Sequence, residues 1–313
     1  MSRTSVSVKA VDFRFVDVLC LLALGVFSIL ILLFPDNVQS SQRIVLNNLA
    51  VACVFVTFLW SREKIANSWF RWFLRIAGVI AVVSFVYNES SKIINIFFMD
   101  FFDELVMKWE LAIFGQHPTV WFGRITSPWM TEWMMFTYVL YVPMIPFAAW
   151  LAQSRERGRG LEDYLLSFAL ASLVCYLVFI LFPVKGPMRT IPELHTVPLN
   201  GYFFTWITEV IRQNIHFPGG CLPSPHCAIS TVILLTVWRH HRPTFWAFLP
   251  IVLSIYVSTV YGRFHYVSDG VVGIPLGVFA IWAGPRLNIW WGKVTLALHF
   301  HLRKVPRFEL EET

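Results

Sequence analysis

The chain has 313 residues, of which 57% are hydrophobic and 14% are charged, whereas about a quarter of the residues in soluble domains are charged. This composition excludes an ordinary soluble enzyme. The net charge of +6 does not indicate binding to nucleic acid, because the basic residues are spread over short loops and no basic run is interleaved with aromatic residues.

Long apolar blocks separated by short charged loops predict a helical bundle in lipid. The first block ends at Pro35 and Asp36 rather than at a small-residue cleavage site, so we expect a retained membrane anchor and not a signal peptide. The predicted fold is an all-α integral membrane bundle of about eight transmembrane helices. These spans are 16–34, 44–60, 73–87, 133–152, 165–182, 228–238, 245–261 and 271–282.

Arginine-rich loops recur after every second predicted span along the chain. If the N-terminus is cytoplasmic, every arginine-rich loop and the C-terminus fall inside, as the positive-inside rule requires. The segments 88–132, 183–226 and 262–269 are then extracytoplasmic. The segment 88–132 is too polar to span the membrane. It is predicted either as amphipathic pieces along the interface or as a folded loop packed on the bundle.

No internal repeat or linker divides the chain, so one domain is expected, with three regions. Residues 1–132 hold the N-terminal spans and the interfacial segment, residues 133–286 the catalytic core, and residues 287–313 a cytoplasmic tail. The five cysteines include no CxxC pair, which gives no sign of a metal site or a disulfide framework. Cys221 and Cys227 either form a bridge, if their loop is extracytoplasmic, or are two buried thiols.

Titratable residues at the ends of the apolar helices carry the functional signal, because such groups are costly at membrane depth. His265 can act as a nucleophile, since neutral imidazole is available near pH 7. Asp269, four residues later, can accept the imidazole N–H and fix its tautomer. His226 can act as the acid. Ser224 precedes it as a helix N-cap, where backbone N–H groups favour an anion.

Three basic residues on the same side can neutralise a transferring phosphoryl group. They are Lys185 and Arg189, directly after a span, and Arg263, just before His265. Taken singly, each cation could instead reach the lipid headgroups, and each histidine could be a hydrogen-bonded interfacial residue. The conjunction of a Lys/Arg element, a PSPH helix start and an HYxxD element in this order favours a catalytic site.

This ordered trio resembles the type 2 phosphatidic acid phosphatase (PAP2) superfamily, whose motifs are KxxxxxxRP, PSGH and SRxxxxxHxxxD. Lys185, His226, His265 and Asp269 match these motifs by position. The resemblance covers roughly residues 165–282. It implies that His265 and Asp269 make the nucleophile and that His226 handles the proton.

In two departures from these motifs, the chain resembles the branch that contains inositol phosphorylceramide synthase and sphingomyelin synthase. Arg189 follows Lys185 by only four residues, and Thr259 stands where the superfamily has the arginine of its last motif. That branch has HYxxD in its last motif. The resemblance leaves Arg263 as the candidate to replace the missing arginine.

We therefore expect a membrane enzyme that cleaves a phosphoester of a phospholipid or sphingolipid through phosphohistidine at the extracytoplasmic face. Water as acceptor would make it a lipid phosphatase, and a lipid or polyol hydroxyl would make it a head-group transferase. The sequence leaves this choice and the oligomeric state open. No metal and no cofactor is expected. A transporter or scaffold on the same fold is the alternative function.

Overall fold

The computed structural model describes residues 13–62, 64–155, 159–215 and 218–304. These residues form helices joined by loops and one isolated bridge between Val184 and Gly220. The α-helices are α1 (Phe15–Leu33), α2 (Ser41–Arg62), α3 (Ser68–Lys92), α4 (Asp103–Phe114), α5 (Pro118–Trp121), α6 (Pro128–Arg155), α7 (Arg159–Leu181), α8 (Pro187–Thr190), α9 (Phe203–Ile215), α10 (Pro225–His240), α11 (Arg242–Tyr261) and α12 (Val267–Lys304).

Within the described part of the chain, 7 helices are long and apolar enough to cross a membrane, namely α1, α2, α3, α6, α7, α11 and α12. The predicted all-helical, multi-pass membrane fold is confirmed at this level, but the count of about eight spans is not. The predicted span 228–238 is part of α10, which has 16 residues. At about 1.5 Å per residue this helix falls short of a bilayer core of about 30 Å.

The helix α7 forms the centre of the bundle and contacts α1, α3, α6, α10 and α12. Its apolar window is 72% buried, the largest share among the candidate spans. A helix that is apolar all round can be buried on all sides, and this explains its central place.

The start of α10 lies directly against the first turns of α12, and glycines permit this approach. A Cβ atom added to Gly273 would meet the carbonyl oxygen of Ser224 at 2.6 Å, and one added to Gly277 would meet that of Ala228. A larger residue at either position would therefore push the two helices apart. Because of this contact, the PSPH and HYxxD elements are neighbours.

The segment 88–132, predicted to be extracytoplasmic, contains α4 and α5. The helix α4 shares features with both predicted alternatives. One face of α4 packs on the bundle and buries Asp103, Val106 and Glu110, while Leu111 and Ile113 on the other face are exposed. At the far end, α12 extends well beyond the predicted span 271–282. The predicted tail 287–313 therefore includes the end of this helix, and the predicted region boundaries stay a prediction.

The two ends of the bundle differ in chemistry. Arg62, Arg71 and Arg159 line one cavity at the end where α2 finishes and α3 and α7 begin. His226 and His265 lie at the opposite end, where α10 and α12 begin. Which end faces the cytoplasm stays a prediction from the positive-inside rule.

Labelling with a membrane-impermeant maleimide tests this sidedness. Cys53 is exposed and the other four cysteines are buried, so Cys53→Ser gives a quiet background. In intact cells we expect Asn200→Cys to react and Lys64→Cys to be spared. Permeabilised cells, in which both should react, provide the control. Labelling of Lys64→Cys alone in intact cells would reverse the predicted topology.

Candidate active site

His265 and Asp269 form a buried pair at the start of α12. The Nδ1 atom of His265 lies 3.1 Å from Oδ2 of Asp269 and 3.0 Å from the carbonyl oxygen of Cys221. The carboxylate also accepts the backbone N–H of Tyr266 at 2.9 Å. The four-residue spacing thus brings the carboxylate to the ring nitrogen, although His265 itself precedes the helix.

These contacts fix the tautomer of His265. A carbonyl oxygen only accepts hydrogen bonds, and a carboxylate does the same. The Nδ1 atom must therefore carry the proton and donate it to Cys221 and Asp269. In the neutral ring the lone pair is then on Nε2, which makes Nε2 the nucleophilic atom.

His226 stands in the first turn of α10, across from this pair. Its ring centroid is 5.6 Å from that of His265, and it stacks on Tyr138 with a centroid distance of 4.4 Å. Ser224 caps the helix by accepting the N–H of Cys227 at 3.4 Å, and Pro225 occupies the first turn. The backbone N–H of Ser224 donates to the carbonyl of Asp269 at 3.0 Å. This bond ties the two histidine-bearing elements together.

Both histidines line one cavity of about 420 Å³. Its wall is rich in aromatic side chains, namely Tyr87, Tyr138, Tyr141 and Tyr176. Val142 on α6 belongs to the lining and is 59% exposed on the surface of the bundle. The cavity thus combines a polar end, at the imidazoles, with an apolar side next to the lipid-facing surface.

None of the four predicted phosphate-binding residues belongs to the lining of this cavity. Lys185 lies with Nζ 4.5 Å from the ring centre of Phe101, and Arg189 is exposed on α8. Arg263 donates to the carbonyl of Val197 and lines a neighbouring cavity of about 400 Å³. The hydroxyl of Ser224 is buried and serves the helix cap.

Arg212 on α9 is a basic residue that the sequence analysis missed. It lines the histidine cavity as well as the neighbouring one. Its guanidinium forms an ion pair with Glu209, and its Nε donates to that carboxylate at 2.7 Å. The i, i+3 spacing of these two charges on an amphipathic helix is the sequence feature that could have identified Arg212.

Asp103, also missed from the sequence, holds two of the motifs in place. Its buried carboxylate accepts the backbone N–H groups of Lys185 at 2.8 Å and Gly186 at 2.9 Å. It also accepts the hydroxyls of Thr190 at 2.7 Å and Tyr266 at 3.1 Å. Asp103 therefore connects the Lys/Arg element to the residue next to His265.

Glu110 is a second buried acid on α4, and it caps α12. Its Oε1 accepts the N–H of Val267 at 2.6 Å. Burial, with a contribution from the charge of Asp269, raises the pKa of Glu110 from 4.5 to about 7, although the backbone N–H bonds act in the opposite direction. The capping carboxyl thus exchanges its proton close to neutral pH.

Cys221 and Cys227 are both free, buried thiols, so the second of the two predicted alternatives is found. Burial raises the pKa of the Cys221 thiol, which donates to the carbonyl of Phe264 at 3.4 Å. Ligand atoms of Cys221, His265 and Asp269 lie within 4.8 Å of one another, a compact group of possible metal ligands. The expectation of a metal-free site stays a prediction.

The described helices form a multi-pass bundle, and two histidines lie near each other at one end of it. This architecture defines the molecule as a polytopic membrane protein. The family model of the PAP2 superfamily matches residues 104–283. The chain therefore belongs to the PAP2 superfamily, which confirms the resemblance and indicates a membrane phosphatase-type function. The likeness to inositol phosphorylceramide synthase is not tested by this match and stays a prediction.

The chain is also similar to the bacitracin transport permease protein BcrC of Bacillus licheniformis. The two are 22% identical over 181 residues, which cover 56% of this chain and 79% of that protein. No solved structure matches the chain significantly.

Asp103→Asn tests the role of the α4 carboxylate in holding the motifs. The amide must turn its NH₂ group toward backbone or hydroxyl donors, so a buried donor loses its acceptor. We expect a loss of about 1–3 kcal/mol of stability, measured as a lower midpoint of thermal unfolding in detergent. Glu104→Gln, at the exposed neighbouring position, should match wild type. Equal midpoints for the two variants would exclude this role.

The raised pKa of Glu110 predicts a pH-dependent stability. Between about pH 4.5 and 7 the folded state retains this proton and the unfolded state does not, so the stability contributed by Glu110 falls as the pH rises. Glu110→Gln removes this dependence. The unfolding midpoint of the variant, relative to wild type, should therefore increase from pH 5 to pH 7.5. A constant difference over this range would contradict the assignment.

Proposed function

We propose that this protein is a membrane enzyme that cleaves a phosphoester of a phospholipid or sphingolipid through a phosphohistidine on His265. The observation that carries the proposal is the buried hydrogen bond between Nδ1 of His265 and Asp269, together with His226 in the same cavity. This arrangement leaves Nε2 as a nucleophile and supplies a second imidazole for proton transfer.

In the first step, Nε2 of His265 attacks phosphorus, so an N–P bond forms while the P–O bond to the leaving group breaks. His226, protonated at the outset, gives its proton to the leaving oxygen. The ring of His265 becomes positively charged as it accepts phosphorus. Asp269 stabilises this charge through the Nδ1–H bond and keeps the ring in its orientation.

In the second step, an acceptor hydroxyl opens the phosphohistidine. His226, now neutral, takes the proton of the acceptor, whose oxygen forms a P–O bond while the N–P bond breaks. Water as acceptor yields phosphate, and a lipid or polyol hydroxyl yields a new phosphoester, as in inositol phosphorylceramide synthesis. The choice depends on how well the cavity excludes water.

Charge on the phosphoryl oxygens requires cations. Lys185 and Arg189 are assigned this role by their position in the first motif, and Arg212 by its place in the cavity lining. Arg263 is less suited, because it lines the neighbouring cavity and not the one that holds the histidines. The backbone N–H of Met188 donates to the Arg263 carbonyl at 3.1 Å, which keeps the first motif beside the histidine element.

A lipid substrate fits the amphipathic lining of the cavity. The imidazoles form its polar end, and Val139, Val142 and Ile211 belong to its apolar side. A phosphorylated headgroup would lie at the histidines and acyl chains would extend toward the surface that faces the membrane. The positive-inside rule puts this end at the extracytoplasmic face.

Transport or scaffolding on the same fold is the alternative function, and the name of BcrC, a transport permease protein, belongs to that class. The buried contact of Asp269 with His265 argues against this alternative. An anion pathway requires positive charge and gains nothing from a buried carboxylate bonded to a histidine.

The experiment compares purified variants in detergent. Each receives labelled phosphatidic acid, then a phospholipid headgroup donor with ceramide, diacylglycerol or inositol as acceptor. We expect His265→Ala to abolish every activity. Asp269→Asn should retain a residual rate, with a loss of up to about 10⁴-fold, because the imidazole remains. His226→Ala should lose least with nitrophenyl phosphate, whose leaving group needs no proton.

His241→Asn is the matched control. His241 lies at the opposite end of the bundle as the N-cap of α11, a role that asparagine preserves, so activity should equal that of wild type. Free phosphate as the sole product would assign a phosphatase, and an acceptor-dependent lipid product a transferase. Equal turnover by wild type and His265→Ala would exclude catalysis at this site.

A further inference from the structure

A second cavity lies at the end of the bundle opposite the histidines. It is lined by parts of α1, α2, α3, α6, α7 and α12 and has a volume of about 1030 Å³, more than twice that of the histidine cavity. None of the three sequence motifs contributes to its lining. The proposed reaction therefore does not account for it.

The lining of this cavity is strongly basic, with six basic side chains against two acidic ones. One of the acids, Glu162, is engaged by Arg75, which also pairs with Asp17. The other acid, Asp163, accepts the side-chain amide of Asn288 at 2.7 Å.

The unbalanced cations are Arg71, Arg159 and Lys293, for which the described residues provide no ion pair. Three unpaired cations around one cavity create a strong local preference for an anion.

Two further features specify the kind of anion. Trp72 lines the cavity, and its indole N–H is buried without a hydrogen-bond partner among the described residues. Such a donor normally finds an acceptor, which a phosphate oxygen would supply. On the other side, Ile289 and Leu296 of α12 line the cavity while being 62% and 60% exposed.

We propose that this cavity binds an anionic phospholipid, distinct from the substrate of the histidine site. Its phosphate is held by Arg71 and Arg159 and accepts the Trp72 N–H. One acyl chain runs along Ile289 and Leu296. A free anion would satisfy the cations but would leave this apolar side of the cavity uncovered, so the amphipathic ligand fits better.

Thermal unfolding of the full chain in a neutral detergent tests the site. Increasing concentrations of dioctanoyl phosphatidylglycerol should raise the unfolding midpoint, whereas dioctanoyl phosphatidylcholine and inorganic phosphate should have little effect. Arg71→Gln combined with Arg159→Gln should weaken the apparent affinity for phosphatidylglycerol about thirtyfold, as expected for two basic residues near a charged headgroup.

The matched control is Arg242→Gln combined with Arg286→Gln. These arginines lie at the same end but stack on Trp238 and Trp282 outside the cavity, so the affinity should remain that of wild type. An equal loss in both double variants would mean diffuse attraction and would overturn the proposal. An equal response to inorganic phosphate would also overturn it.

A measurement on the wild-type chain does not depend on the folding of any variant. Phosphatidylglycerol with a photoactivatable acyl chain should crosslink within residues 289–296. Crosslinks spread evenly over the exposed helices would refute the site.

Discussion

A fully buried carboxylate in the first turn of α12 is the constraint on which the rest of the site depends. Asp269 has no exposed surface, and a buried charge is tolerated only where donors surround it. The imidazole of His265 and the N–H of Tyr266 both donate to its Oδ2 atom, whereas Oδ1 has no hydrogen-bond partner among the described residues. The same requirement that stabilises Asp269 thus holds the ring of His265 in one orientation and one tautomer.

The neighbouring elements extend this constraint to the whole end of the bundle. The Asp269 carbonyl accepts the N–H of Ser224, so His226 is fixed relative to His265. Asp103 and Glu110 bring α4 onto the same group of loops through Tyr266 and Val267. A segment outside all three motifs therefore orients two of them.

The features that depend on composition, or on residues a few positions apart in the chain, could be predicted from the sequence. Hydropathy located the central helix α7, and the HxxxD spacing anticipated the contact between His265 and Asp269. The sequence could not predict the partners of Asp103 and Glu110, because the backbone groups that they bind lie 82 and 157 residues away along the chain. The orientation of the Arg263 side chain could not be predicted either, since its positive φ of 64° and its hydrogen bond to Val197 arise from the folded loop.

The central claim is that His265 carries the phosphoryl group during turnover. The most direct measurement is to mix the protein with phosphatidic acid labelled in its phosphate, stop the reaction in alkali, and map the label by mass spectrometry. We expect alkali-stable label on His265, absent from His265→Ala and present in His241→Asn. Label on another residue, or turnover by His265→Ala, would contradict it.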